Sequence, residues 1–265
     1  MRRRSVFAAL LLGGVTACAG RTVTLPTGEG APFPDYATAW QDATHGCRQV
    51  RTLSAELSIS GRAGRQRLRG HVLAGVAAPD LIRLEAAAPA GPPVFILVSD
   101  GTTTTLLLPR ENRVLRGESP AAILDALVGL ELGPSDLLAI LSGCVTPDPR
   151  ATGGRLFPSE WARIDLSGGA AAYLRHDRET GWFVRAAARP ALTIDYDPGG
   201  HRTPPSVRLL AHDSRGAASD LRIGLSQVAI DQKLGPEVFS VRVPADATPI
   251  SLTELREAGP LGEKR

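Results

Sequence analysis

The sequence predicts a mostly β protein, an antiparallel sheet of about 11 strands holding a few short α-helices. Three observations carry this. Runs of β-favouring residues recur about every eight to twelve residues between 53 and 230, with Gly, Pro, Asn and Asp between them, which is the rhythm of hairpin-linked strands in a sheet or barrel. Strands and helices do not alternate one for one, so βαβ units and a parallel sheet are excluded. The two apolar helical patterns in mid-chain, 119–129 and 133–143, are only about three turns each and need a surface to lie on.

The N-terminus reads as an address. Arg2, Arg3 and Arg4 precede a short apolar run, 6–15, too short to span a bilayer as a permanent helix. Val15-Thr-Ala-Cys18 resembles a bacterial lipobox. That resemblance implies a signal peptide over 1–17, cleavage before Cys18, and lipidation of the Cys18 thiol and its new amino group. An ordinary secretory signal with an incidental cysteine is the alternative. Ala19, rather than Asp, follows the cysteine; by resemblance to sorted lipoproteins this implies the outer membrane, periplasmic side. Residues 18–34, rich in Gly, Pro and Thr, read as a flexible tether.

Charge narrows the partners. The chain has 30 basic and 27 acidic residues; without the three leader arginines, 27 face 27. A neutral chain lacks the concentrated basic surface that nucleic acid requires. Arg65, Arg67 and Arg69 share one strand face, which reads as a solvated exterior.

A domain is expected over 35–250, with 251–265 a loose tail whose 252–258 segment suits a terminal helical turn. Tyr36, Trp40, Ala43, Cys47 and Val50 form one apolar helical stripe, with Asp35 placed to cap it. Cys47 therefore faces inward, and Cys144 follows a helix stop at Gly143. A disulfide between them and two separately buried thiols are both compatible with the pattern; outside the cytoplasm, with no third thiol competing, the bridge is favoured. Paired Cys/His spacings are lacking, so no metal is expected.

Leu53, Ala55, Leu57 and Ile59 alternate with polar residues as a half-buried strand, and 65–75 returns beside it. Asp100-Gly101 turns the central hairpin. Its first strand, 94–98, is apolar at every position, so both faces should be covered. One cover is the pair of short helices. Ser119 and Pro120 open the first, Gly129 ends it, and Gly133-Pro134 opens the second. Residues 145–154 read as a linker, after which strands resume to 230. A curved sheet with helices on its apolar side would enclose a cleft lined by Phe95, Leu97, Leu106, Leu108, Leu124, Leu127, Leu137 and Leu141. Plain core is the other reading of the same eight residues. If they line a cleft, a charge at Leu137 should abolish acyl binding and spare the fold.

Familiar catalytic patterns are lacking. Gly-x-Ser-x-Gly, His-Glu-x-x-His and phosphate-cradling Gly loops are missing, and the five histidines are scattered. His176-Asp177 and His212-Asp213 sit at strand ends with no nucleophile to serve. The expectation is a non-enzyme without cofactors.

The order of features resembles the LolB/LolA group of lipoprotein carriers and receptors. Trp40, His45 and the Val50–Leu53 approach resemble the first helix and strand of LolB. Arg83-Leu84 followed by Pro89-Ala-Gly91 resembles its Arg-Leu strand and following loop. Leu127-Val-Gly-Leu130, Pro134-Ser-Asp-Leu137 and Leu141-Ser-Gly143 resemble its two plug helices. The resemblance implies an unclosed half-barrel with an apolar cavity for acyl chains. It also implies a LolB-like acceptor of lipidated proteins, with a periplasmic LolA-like carrier as partner. The LolB loop carries an exposed leucine that inserts cargo into the membrane; here that position is Ala90, which offers far less area to a bilayer. The other reading is an accessory envelope lipoprotein with no transported ligand.

Overall fold

The computed structural model describes residues 23–258 apart from 65, 89, 148, 199–202 and 213–217, and only the backbone of 212 and 218. The leader with Cys18, Arg65, Pro89, His201 and residues 259–265 lie outside the described residues.

The chain lays down two meanders. The first is β2 (Thr52–Ala63), β3 (Gln66–Ala77), β4 (Leu81–Ala87), β5 (Phe95–Asp100), β6 (Thr104–Leu108) and β7 (Arg113–Arg116). Helices α2 (Pro120–Val128) and α3 (Pro134–Leu141) follow. The second is β8 (Ala151–Phe157), β9 (Trp161–Leu166), β10 (Ala171–Asp177), β11 (Gly181–Arg189), β12 (Leu192–Tyr196), β13 (Ser206–His212) and β14 (Ala218–Ile230). β14 pairs antiparallel with β2, which fuses the two meanders into one sheet.

That fusion leaves β7 and β8 as outer strands, and the chain ends cover them. β1 (Ala31–Pro32) pairs with β8, and β15 (Thr248–Pro249) pairs parallel with β7. β1 and β15 are the two ends of the strand order, so the sheet is unclosed. A proline in each cap removes an N–H that a further strand would need, which protects both edges. Among the described residues the sheet therefore has 15 strands, not about 11. The two caps are two residues long and have no period to read; what fixes them is the edge they cover. The linker expected over 145–154 is also partly strand. Gly153 and Gly154 belong to β8, and a Cβ on Gly154 would stand 2.3 Å from the Tyr36 side chain. Glycine there lets α1 (Tyr36–Gln49) lie against β8.

Period-two burial holds where the alternation predicts it: Leu53, Ala55 and Leu57 are buried, while Thr52, Ser54 and Glu56 are half-exposed. β5 is covered on both faces. On one side lies α2; on the other lies a short 3-10 turn, Pro236–Phe239, whose Phe239 is buried. Gly75 gives this C-terminal segment room, with Val238 only 3.5 Å from where its Cβ would be. Segment 251–258 is docked rather than loose. It forms α4 (Leu252–Ala258), with Leu255 buried, Arg256 on Asp125 of α2 at 3.0 Å and Glu254 on Arg113 at 3.0 Å.

The helix ends follow local chemistry. The Ser119 hydroxyl accepts from the Ala122 N–H at 3.1 Å, and Gly129 stops α2 in the left-handed region, φ 68°. Asp136 reaches back to accept from the Gly133 N–H at 3.2 Å. Asp35 precedes α1 but its side chain caps nothing.

Candidate functional site

The side chains under α2 and α3 are buried. Phe95, Leu97, Leu106, Leu108, Leu124, Leu127, Leu137 and Leu141 all belong to one buried hydrophobic cluster. Leu97 and Leu106 are 0% exposed, so no void large enough for water touches them. The burial of these eight residues fits the plain-core reading, with Leu108 and Leu137 keeping 8% exposure each. Close packing is the usual result when branched aliphatic side chains from a sheet and two helices meet. A charge at Leu137 would then break the fold itself.

A sizeable opening lies elsewhere. A half-open groove of about 610 Å³ runs between the last turns of α1 and the far ends of β10–β13. Its volume falls within the roughly 300–1,000 Å³ typical of small-molecule sites. Ala43, Gly46, Cys47 and Val50 form the helical wall; Trp182, Phe183 and Val184 form the strand wall. Tyr196, Ser142 and Gly143 lie at the base, and Pro198 and Pro204 at one lip. Asp42, Asp177, Glu179 and Asp197 bring carboxylates to the lining, and none of its described residues is Lys or Arg.

Three features fix this shape. Cys47 and Cys144 are joined as a disulfide, with Cα atoms 5.6 Å apart, pinning the last turn of α1 to the chain after α3. Trp182 is wedged between Phe33 (centroids 5.7 Å) and His176 (4.9 Å, edge-on), which gives His176 a packing role. The buried Tyr196 hydroxyl donates to the Cys144 carbonyl, and burial pushes its ionisation far upward, so it stays a neutral donor. Tyr196→Phe should leave that carbonyl unpaired and cost about 1–3 kcal/mol, measured as a shift in urea midpoint at unchanged slope.

Asp177 serves the turn beside the groove. It accepts from the Thr180 and Glu179 N–H groups at 3.0 and 2.9 Å, and these bonds hold its carboxyl below the ordinary range. On the opposite face of the same strands, Arg185 and Asp195 are half-buried. Desolvation pushes the arginine down and the carboxyl up, partly offset by their mutual attraction. Beside them Arg208 grips Asp220 through two bonds of 2.7 and 2.6 Å, which hold the Asp220 carboxyl low.

Ala90 is exposed in the loop between β4 and β5. Arg110 ties that loop down by donating to the carbonyls of Ala90 and Pro92, both at 3.3 Å. Arg67 and Arg69 are exposed, as expected of a solvated face. Of the expected cleft and disulfide residues only Cys47 reaches the groove lining, with Cys144 bonded to it; Ala43, Val50, Gly143 and Asp177, read from the sequence in other roles, line it too. Gly46, Trp182 and the turn residues escape pattern reading because the groove is built from element ends, where periodicity stops.

No protein-family model matches the chain, and no curated protein matches it. Solved structures do. A LolA superfamily protein from Nitrosomonas europaea superposes with TM-score 0.50 at 9% identity, over 77% of this chain and 96% of that one. A DUF1329 family protein from Desulfovibrio piger gives TM-score 0.51 at 13% identity, over 77% and 95%. At such identities the likeness is one of architecture. The chain has a LolA/LolB-like fold.

Proposed function

We propose that this protein is a non-enzymatic lipoprotein of the bacterial envelope that binds acyl chains, free or attached to a lipidated protein, in the groove beside α1. The carrying observation is that groove: about 610 Å³, walled by Trp182, Val184, Val50 and Ala43, on a LolA/LolB-like fold. Each buried methylene contributes about 0.8 kcal/mol. A half-open groove leaves part of a chain in water, which favours release as well as capture. The lipobox-like leader supports attachment through Cys18 to the outer membrane, facing the periplasm. The proposed role is a LolB-like acceptor, with a periplasmic LolA-like carrier as donor. Ala90, small and held by Arg110, argues that membrane insertion does not use this loop.

A second reading, an accessory envelope lipoprotein without ligand, draws on the packed interior beneath α2 and α3. One variant separates the two. Gly46 lines the groove in mid-helix, and a Cβ there would meet nothing within 4 Å. Gly46→Trp should fill the groove while removing the roughly 0.5–1 kcal/mol helix penalty of glycine. The expected result is at least a tenfold loss of binding of a fluorescent fatty acid, with Tm unchanged or raised. Equal binding by the variant rules out the groove; no binding by the parent protein favours the accessory reading.

A further inference from the structure

The segment before α1 is docked along its length rather than hanging free. Val23 lies beside the Asp195 carboxylate of β12, its backbone N–H facing the acid, in a small polar niche that also holds Arg185, Arg208 and Arg222. Eight residues on, Ala31 and Pro32 pair with Leu156 and Arg155 of edge strand β8. Four strand spacings separate β12 from β8, about 19 Å, and eight extended residues span about 27 Å. The segment therefore crosses the outer face of β8–β12 as a strap. Val23, Leu25, Pro26 and Gly30 are half-buried along it, and Thr24, Thr27, Gly28 and Glu29 are exposed.

Docking shortens the leash. From Val23 back to Cys18 is five residues, a reach of at most about 17 Å; a tether free from Asp35 onward would reach about 58 Å. The same face offers groups suited to lipid headgroups. Trp161, Arg175 and Phe183 are cross-strand neighbours there, with the Arg175 guanidinium 5.1 Å over the Trp161 ring. Arg155 and Arg163 stand exposed beside them. Indole rings and guanidinium groups are side chains that settle at the membrane–water interface.

We propose that the outer face of β8–β12 lies against the bilayer, its partner being the phospholipid headgroup layer. This inference rests on lipidation at Cys18 as proposed above. It also places the groove. Asp197 borders both the strap's polar niche and the groove, so the groove opens next to the anchored face, and an acyl chain leaving the bilayer has a short path into it.

The test uses the full-length protein purified from membranes and reconstituted into phosphatidylethanolamine–phosphatidylglycerol vesicles. Arg163→Cys and Arg69→Cys are each labelled with an environment-sensitive fluorophore; Arg69 is exposed on β3, seven strands further round the sheet. Spin-labelled lipid with its nitroxide at headgroup depth should quench the label at 163 at least threefold more than the label at 69. Val23→Pro, which removes the N–H that faces Asp195, should erase that difference. Equal or reversed quenching in a chain whose mass shows the acyl groups overturns this inference and leaves the anchor standing. A chain lacking acyl mass overturns both.

Discussion

Replacing Cys47 and Cys144 together by alanine is expected to lower stability by about 4–5 kcal/mol, the chain-entropy value for a closed loop of this length, 97 residues in separation. The bond matters by where it sits as well as by loop size. It joins α1, which packs on β8 and β11, to the end of α3, which packs on β3. The two meanders are also held together by the β2–β14 pairing, by one shared hydrophobic core, and by the Asp136–Arg189 ion pair of 2.8 Å between α3 and β11. Without the bridge, α1 keeps its apolar stripe but loses its fixed distance from Ser142 and Gly143, so the base of the groove is no longer set. The checks are a urea titration of oxidised parent against the double variant, and fatty-acid binding of both. A stability loss below about 1 kcal/mol would mean that packing alone fixes α1.

Much of this architecture was legible because its rules are local. Leu53, Ala55 and Leu57 alternate, and β2 is half-buried as they require. Ser119-Pro120 and Gly129 bound α2 as capping chemistry dictates. The all-apolar run in β5 called for two covers, and α2 and Phe239 supply them. The illegible parts are those that long-range geometry decides. β1 and β15 exist because β7 and β8 would otherwise be open edges; nothing within Ala31–Pro32 or Thr248–Pro249 announces a strand. The strap looked like a tether because its composition is that of one; its docking depends on Asp195, 172 residues away from Val23. The groove is assembled from the end of a helix and two strand turns. Whether an apolar interior is full or hollow does not show in the identity of its leucines, since both require the same side chains.

That last distinction yields a large effect. Leu106→Ala is expected to cost about 3–5 kcal/mol, the range for deleting a fully buried leucine from a core that cannot collapse around the gap. Leu106 is 0% exposed, on β6, between Leu97 of β5 and Leu115 of β7, both almost wholly buried. Its neighbours are fixed by ladder hydrogen bonds on two sides, so relaxation into the space is limited. Had the interior been a hollow kept open for ligands, Leu106 would have bordered empty space, and its truncation would cost little beyond the lost transfer energy of its own carbons, nearer 2 kcal/mol. Denaturant unfolding of Leu106→Ala thus measures whether the sheet and plug form a jigsaw or a cage. The same variant gives a second reading through binding. With the groove beside α1 as the site, a stably folded Leu106→Ala protein keeps its fatty-acid affinity at low temperature. If affinity fell in step with stability, or rose because the new cavity admitted a chain, the ligand would instead be entering beneath α2 and α3.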